Sequence, residues 1–328
     1  MWPLPDEGTP IATLRRWFRK FIEVRDAEGA ERCLVSAIAA GADDMQMADM
    51  LFSAATDHRY IQTGHVLDFT NKALEAIDIT GWEEAGTVLT SLARTYATAE
   101  RMEETNAWRY PLDLVALLDE AFEKMPAALE AGLNCNKSEK SSWMGRKELV
   151  DVILDDSPQT TVEAMLDALA GGASGIDLAS AVSYAAALRI ARFHTSNEFS
   201  DWDTALHTFT YASAVEQGLR RAPSPELLRG VFDTAMSVYL DRFLNIPPAR
   251  LPQADQITYY DKDILSTLPS LLDRQQQVDE AGEAVAAYLY GGGELKSLKA
   301  TLGSLLLRED RDFHTIQAVE AAFRQVQL

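Results

Sequence analysis

Histidine is the residue type in this sequence with the most chemistry to offer. Four of the five histidines fall in two short, largely apolar stretches. The first runs from Asp57-His58-Arg59-Tyr60 to His65-Val66-Leu67-Asp68-Phe69, the second from Arg192-Phe193-His194 to Leu206-His207-Thr208-Phe209, and the fifth histidine is His314, between Phe313 and Thr315. Imidazole ligates zinc, copper, iron and nickel, and helices that turn several of them inward are a recurrent way to hold a metal ion. A helix over 58–78 would carry His58 and His65 on nearly the same side, about two turns and about 10 Å apart along its axis, with Lys72 continuing the series. The plainer reading stands beside this one, because a histidine near a helix surface is commonly solvated or satisfied by a neighbour.

On a straight helix Lys72 is too far from His58 for one ion to reach both as well as His65. Gly64 offers a kink, or His65 and Lys72 flank a centre that His58 only supports. A charged lysine is a poor ligand and would serve only deprotonated or as a carbamate formed with carbon dioxide. Asp68 and Glu75, four before and three after Lys72, make ordinary intrahelical ion pairs the simpler reading. In the second stretch the pattern predicts a helix ending at His194, a polar loop, and a new helix capped by Ser200 or Asp201 and holding His207. Antiparallel packing of those helices would bring both rings to one point. Asp68, Glu198 and Asp203 are the carboxylates placed to orient an imidazole, or to act as plain loop charges and caps. Tyr60, Phe69, Phe193, Trp202 and Tyr211 gather around both stretches, first of all as core, and also as candidate walls of an apolar pocket for a planar organic substrate.

The elements that must position these residues read as helices almost throughout, since apolar residues recur at helical spacing and no alternating strand pattern stands out. The expectation is an all-α fold, a large multi-helix bundle of about twelve to fifteen helices with no significant sheet. Candidate helices are 11–23, 29–40, 44–57, 58–78, 81–99, 112–131, 145–155, 159–170, 177–193, 202–220, 224–244, 264–275, 278–290, 294–307 and 314–326. Ser224 with Pro225 reads as an N-cap followed by proline at the first helical position, and Gly81, Gly132 and Gly171-Gly172 read as terminators. Asn245 to Pro252 cannot continue a helix and leads into a polar and aromatic loop, Gln253 to Asp263; Asn134 to Ser142 is a second polar loop. The whole chain, 1–328, reads as a single domain with a looser internal division near 245–263. No fixed-period recurrence marks a helical repeat array.

Composition excludes several classes. With 328 residues, 47% of them hydrophobic, the chain can bury a large core. Its formal charge of -20 repels polyanions, so neither nucleic acid nor an anionic membrane is an expected partner. Two cysteines, Cys33 and Cys135, cannot build a disulfide framework, a cysteine-ligated iron–sulfur cluster or a zinc ribbon. The N-terminal residues Met1 to Glu7 show no signal-peptide pattern and no stretch reaches transmembrane length, which makes the cytoplasm the expected compartment. Dinucleotide, P-loop, nucleophile-elbow and HExxH patterns are absent, as is the paired Glu-x-x-His of di-iron bundles. Gly291-Gly292-Gly293 before a helix is a weak anion-site signal.

Three groups of residues carry a family resemblance: Asp57-His58 with Gly64 to Ala73; Phe193-His194 with Phe199 to Asp203 and His207 to Ala212; and Arg308-Glu309-Asp310 with Phe313-His314. They resemble an all-helical bacterial domain associated with Rieske iron–sulfur proteins, which in turn is distantly similar to the questin oxidase-like family. The resemblance covers most of the chain. It implies a helical oxygenase acting on aromatic polyketide rings through non-haem iron in a histidine-rich site that includes a carboxylated lysine. On that basis His58, His65, His194, His207 and His314 would be ligands and Lys72 the modified lysine, with Lys296 and Lys299 as further candidates. The chain has no Cys-x-His and Cys-x-x-His pairs and so carries no Rieske cluster; an electron donor would be a separate protein.

The reading that results is a non-haem iron oxygenase or oxidase for an apolar or aromatic small molecule. Zinc or another divalent ion, and with it a metal-dependent hydrolase, is the alternative centre. A helical interaction scaffold with incidental histidines is the rival from another class. Four or more protein ligands leave less room at iron than a two-histidine, one-carboxylate set, so either one ligand departs or one histidine stays outside.

Overall fold

The computed structural model describes residues 2–4, 8–138, 143–257, 262–274, 277–309 and 311–326. Met1 and Pro5 to Glu7 of the N-terminus, 139–142 and 258–261 of the two polar loops, Gln275 at the end of a predicted helix and Asp310 of the resemblance lie outside the described residues. Among the described residues there are sixteen α-helices, several short 3-10 turns and no strand, the all-α class expected. The chain forms two compact units, 1–186 with 210–240, and 187–209 with 241–328. One boundary therefore falls just before the division expected near 245–263, and 187–209 belongs with the second unit.

The first unit holds α1 (Ile11–Glu23), α2 (Ala27–Ala39), α3 (Asp44–Ala55), α4 (His65–Thr80), α5 (Ala85–Thr90), α6 (Ala93–Thr98), α7 (Leu114–Ser138), α8 (Arg146–Leu154) and α9 (Pro158–Ala170). It also takes most of α10 (Gly175–Ala191), the later part of α11 (Phe199–Arg221) and nearly all of α12 (Pro225–Asp241). In α1 Leu14, Phe18 and Ile22 recur every four residues and are buried while Arg16 is exposed and Arg15 and Arg19 are half-buried in ion pairs with Asp49 and Asp57, so burial rather than propensity holds the helix. Phe18 meets the fully buried Tyr96 at 5.7 Å between ring centroids. The Tyr96 hydroxyl stays satisfied, 2.7 Å from Thr70 Oγ1 and donating to the Leu51 carbonyl at 3.1 Å. Asp43 and Gln46 form a reciprocal capping box on α3, and Ser224 caps α12 by accepting from the Leu227 amide, as its position before Pro225 predicts.

Several expectations are corrected, among them the polar loop over 134–142, whose first part to Ser138 continues α7. The helix expected over 58–78 begins only at His65, as α4, so His58 is not on it: α3 stops at Ala55, and Tyr60, Gln62, Thr63 and Gly64 all take positive φ, which no right-handed helix accommodates. The helix over 81–99 breaks into α5 and α6, where the Ser91 hydroxyl donates to the Val88 carbonyl and tightens the chain into a turn. Gly132 is no terminator but lies within α7, which packs on α9 so closely that a Cβ at Gly132 would stand 2.1 Å from the Leu169 carbonyl oxygen. The helix holding His207 begins earlier than Ser200 or Asp201, at Phe199; Asp201 instead reaches back from the first turn to accept from the Glu198 amide at 3.1 Å.

The second unit contains the end of α10, the start of α11 with His207, and α13 (Leu268–Leu272), α14 (Val278–Tyr290), α15 (Leu295–Arg308) and α16 (Phe313–Gln325). The helix expected over 264–275 is a 3-10 segment over 262–267 followed by the short α13. Leu268, Ala284, Tyr288, Leu298 and Leu305 form its buried cluster. Asp312 caps α16 by accepting from the Thr315 amide at 3.1 Å, which places His314 in the first turn.

Candidate metal centre

An imidazole offers a metal one nitrogen, and the proton on the other decides which. The five histidines divide on that criterion.

His58 is buried between two carboxylates of its own unit, Nδ1 2.8 Å from Glu103 Oε1 and Nε2 3.5 Å from Glu23 Oε2. Both nitrogens are engaged by oxygen acceptors, the arrangement of a structural ion pair rather than a ligand. Burial opposes the charge on Glu103, but hydrogen bonds from His58 and the Arg59 amide outweigh it and hold this carboxyl below its usual range. Lys72 is one turn from Glu75, with Nζ 2.8 Å from its carboxylate, the intrahelical pairing the sequence allowed. His194 lies just beyond the end of α10 and is exposed, and its Nδ1 accepts from the Ser196 amide at 3.1 Å. That assigns the ring proton of neutral His194 to Nε2, so neither nitrogen is set up to meet a metal.

His65 is prepared differently. The turn before it holds three non-glycine residues with left-handed backbone, Tyr60 (φ 39°), Gln62 (φ 53°) and Thr63 (φ 51°), followed by Gly64 (φ 93°). Conformations of this kind cost of order 1–3 kcal/mol each and persist only where surrounding contacts impose them. Here the Gln62 amide donates to the Glu100 carbonyl at 2.7 Å and the Gln62 side chain accepts from the Glu100 amide at 2.9 Å. A Cβ on Gly64 would stand 2.9 Å from that of Tyr211, so glycine is required there by space as well as by φ. The turn delivers His65 as the first residue of α4, with Nδ1 3.0 Å from the Gln62 carbonyl. A carbonyl only accepts, so Nδ1 carries the proton and Nε2 the lone pair.

In the second unit His207 and His314 come together. Their ring centroids are 4.8 Å apart at an interplanar angle of 68°, with a ring nitrogen of each within 4.8 Å of the other. Two nitrogens bound to one ion at about 2.1 Å stand about 3 to 4 Å apart, so a small side-chain rotation would let both meet one metal. His314 Nδ1 is 2.9 Å from Asp312 Oδ2, and His207 Nδ1 is 3.9 Å from Asp203 Oδ2 one turn earlier in α11. Both rings thus turn Nδ1 toward a carboxylate, the orientation that leaves Nε2 as donor to a metal. The Asp312 carboxyl is lowered to about 2, first by the hydrogen bond from His314 and then by the Thr315 amide.

Of the other carboxylates expected to orient a ring, Asp68 is buried in α4 and Glu198 is exposed, its amide donating to Asp201. The aromatic residues are distributed between the units: Tyr60 packs edge-on against Tyr211 at 5.0 Å, Phe69 stacks on His65 at 6.0 Å, and Phe193 packs on Trp202 at 5.5 Å. Tyr60, Tyr211 and Phe193 are buried.

Sequence reasoning missed Asp312, although an aspartate two residues before a histidine at a helix start is a cap signal in its own right. It also missed the buried carboxylate of Asp241 at the end of α12. The hydroxyl of Thr208, the residue after His207, donates to it, and Arg189 of α10 is its charge partner. Burial outweighs both and pushes this carboxyl up to about 7, and its Oδ2 meets no hydrogen-bond donor among the described residues. No protein-family model, curated protein or solved structure matches the chain.

Proposed function

We propose that the protein binds a transition-metal ion through His207 and His314, and that the ion is non-haem iron serving an oxygenase or oxidase for an apolar or aromatic small molecule. The observation that carries this reading is the facing pair of imidazoles, each with Nδ1 turned to a carboxylate, Asp312 and Asp203. Nitrogen donors of this kind suit iron and also zinc, and iron is taken from the resemblance in sequence. The proposed centre is the His207–His314 pair; His58, His194 and Lys72 are withdrawn from the set because their polar atoms are already engaged. Fewer ligands remove the crowding that five histidines would bring and leave positions for dioxygen and substrate. Bound iron would supply the electrons and the coordination site that dioxygen needs. The protein's own contribution is to fix the two ring orientations and hold the protons on Nδ1. The electron donor is proposed to be a separate protein, in keeping with the missing Rieske motif, and the compartment to be the cytoplasm.

Metal analysis of protein purified without chelator or affinity metal tests this. Near-stoichiometric iron in the parent chain, lost in His207→Ala and His314→Ala but kept in His58→Gln, is the expected result, with oxygen consumption when substrate candidates are screened. Zinc instead of iron would favour a hydrolase. No metal after anaerobic iron loading would overturn the proposal.

A further inference from the structure

The second unit contains a cavity of about 460 Å³, within the usual range for a small-molecule site. Its apolar walls come from the segment after the proline-rich stretch, at Ile257, from the 3-10 turn and α13, at Ile264 and Leu271, and from α14, at Ala284 and Ala287. Ala284 belongs to the buried cluster of this unit, and Ile264 and Leu271 pack against it, so the wall is backed by packed core. Two carboxylates complete the lining, Glu280 and Glu283 on successive positions of one face of α14. Among the described residues no lysine, arginine or histidine lines the cavity, and neither glutamate is paired with a cation. Two like charges on one helix face repel each other, and a cation placed between them relieves that repulsion.

We propose that this cavity binds an amphipathic organic cation, an alkyl or aryl ammonium whose hydrocarbon body fills the apolar part while its charge meets Glu280 and Glu283. Apolar area supplies the attraction, and the two carboxylates supply the sign of charge that is selected. The proposal does not rest on the metal-centre reading, and its test uses metal-stripped protein so that either can fail alone.

Binding of three isosteric probes, 4-phenylbutylammonium, 4-phenylbutan-1-ol and 4-phenylbutanoate, is measured by calorimetry or saturation-transfer NMR. The ammonium is expected to bind about three- to tenfold more tightly than the alcohol, the size of two partly solvated charge contacts, and the carboxylate least. The double variant Glu280→Gln/Glu283→Gln, on exposed positions, should bring ammonium and alcohol to equal affinity. Thr267→Trp, an exposed lining position, should weaken both by occupying the cavity. Equal binding of ammonium and carboxylate, no binding of any probe, or affinities untouched by Thr267→Trp would overturn the assignment.

Discussion

Asp312 and His314 are two residues apart in the chain and 2.9 Å apart in space, and one carboxylate does two things: Oδ1 caps α16 at the Thr315 amide while Oδ2 holds His314 Nδ1. The two roles separate by substitution. Asp312→Ser keeps a hydroxyl that can cap and loses the charge behind the imidazole, whereas Asp312→Ala loses both. Loss of a cap costs about 1 kcal/mol, and loss of a carboxylate behind a metal-bound histidine costs about 10- to 100-fold in metal affinity. The expected outcome is that both variants bind metal more weakly, and that only Asp312→Ala melts measurably earlier as metal-free protein. Unchanged metal affinity in Asp312→Ser would separate the cap from any centre.

How much of this was legible follows from the range of the interactions involved. The buried face of α1 could be read because Leu14, Phe18 and Ile22 recur at helical period, and the start of α12 could be read because Ser224 and Pro225 act within one turn. The break at 56–64 could not. Tyr60, Gln62 and Thr63 are not residues that advertise left-handed backbone, and what holds Gln62 there is Glu100, far along the chain. His207 and His314 were both candidates by type, but their meeting depends on packing within the second unit rather than on spacing. The same histidine count therefore conceals four different arrangements: His58 clasped by two carboxylates, His65 held at Nδ1 by a backbone carbonyl, His194 accepting from an amide, and His207 and His314 facing each other.

Gly132 tests how α7 meets α9. Replacing a helical glycine by alanine ordinarily gains up to about 1 kcal/mol in an exposed helix. Here the added Cβ would stand 2.1 Å from the Leu169 carbonyl oxygen, which is backbone and cannot rotate aside. Separating the helices should cost about 1–3 kcal/mol, as overpacking does, and so outweigh the propensity gain. Gly132→Ala is expected to lower the urea midpoint with an unchanged slope; a raised midpoint would show that the two helices are free to part.

Asp241 gives stability a pH dependence opposite to that of the half-buried, paired acids Glu103 and Glu226. Its carboxyl is held up at about 7 in the fold, above its ordinary range of about 4. Between those values the folded protein keeps a proton that the unfolded chain releases, so stability falls as pH rises through the interval and levels off above about 7. Glu103 and Glu226, both held below their usual range, act the other way: their contribution is present at neutral pH and is lost as pH falls through their folded-state pKa. Asp241→Asn removes the buried titration while keeping a side chain that accepts from the Thr208 hydroxyl. The expected result is a flatter profile of urea midpoint against pH from about 4 to about 7, with the acid limb set by Glu103 and Glu226 intact. A slope over that interval equal to the parent's would mean that Asp241 is ionised throughout, its charge carried by Arg189.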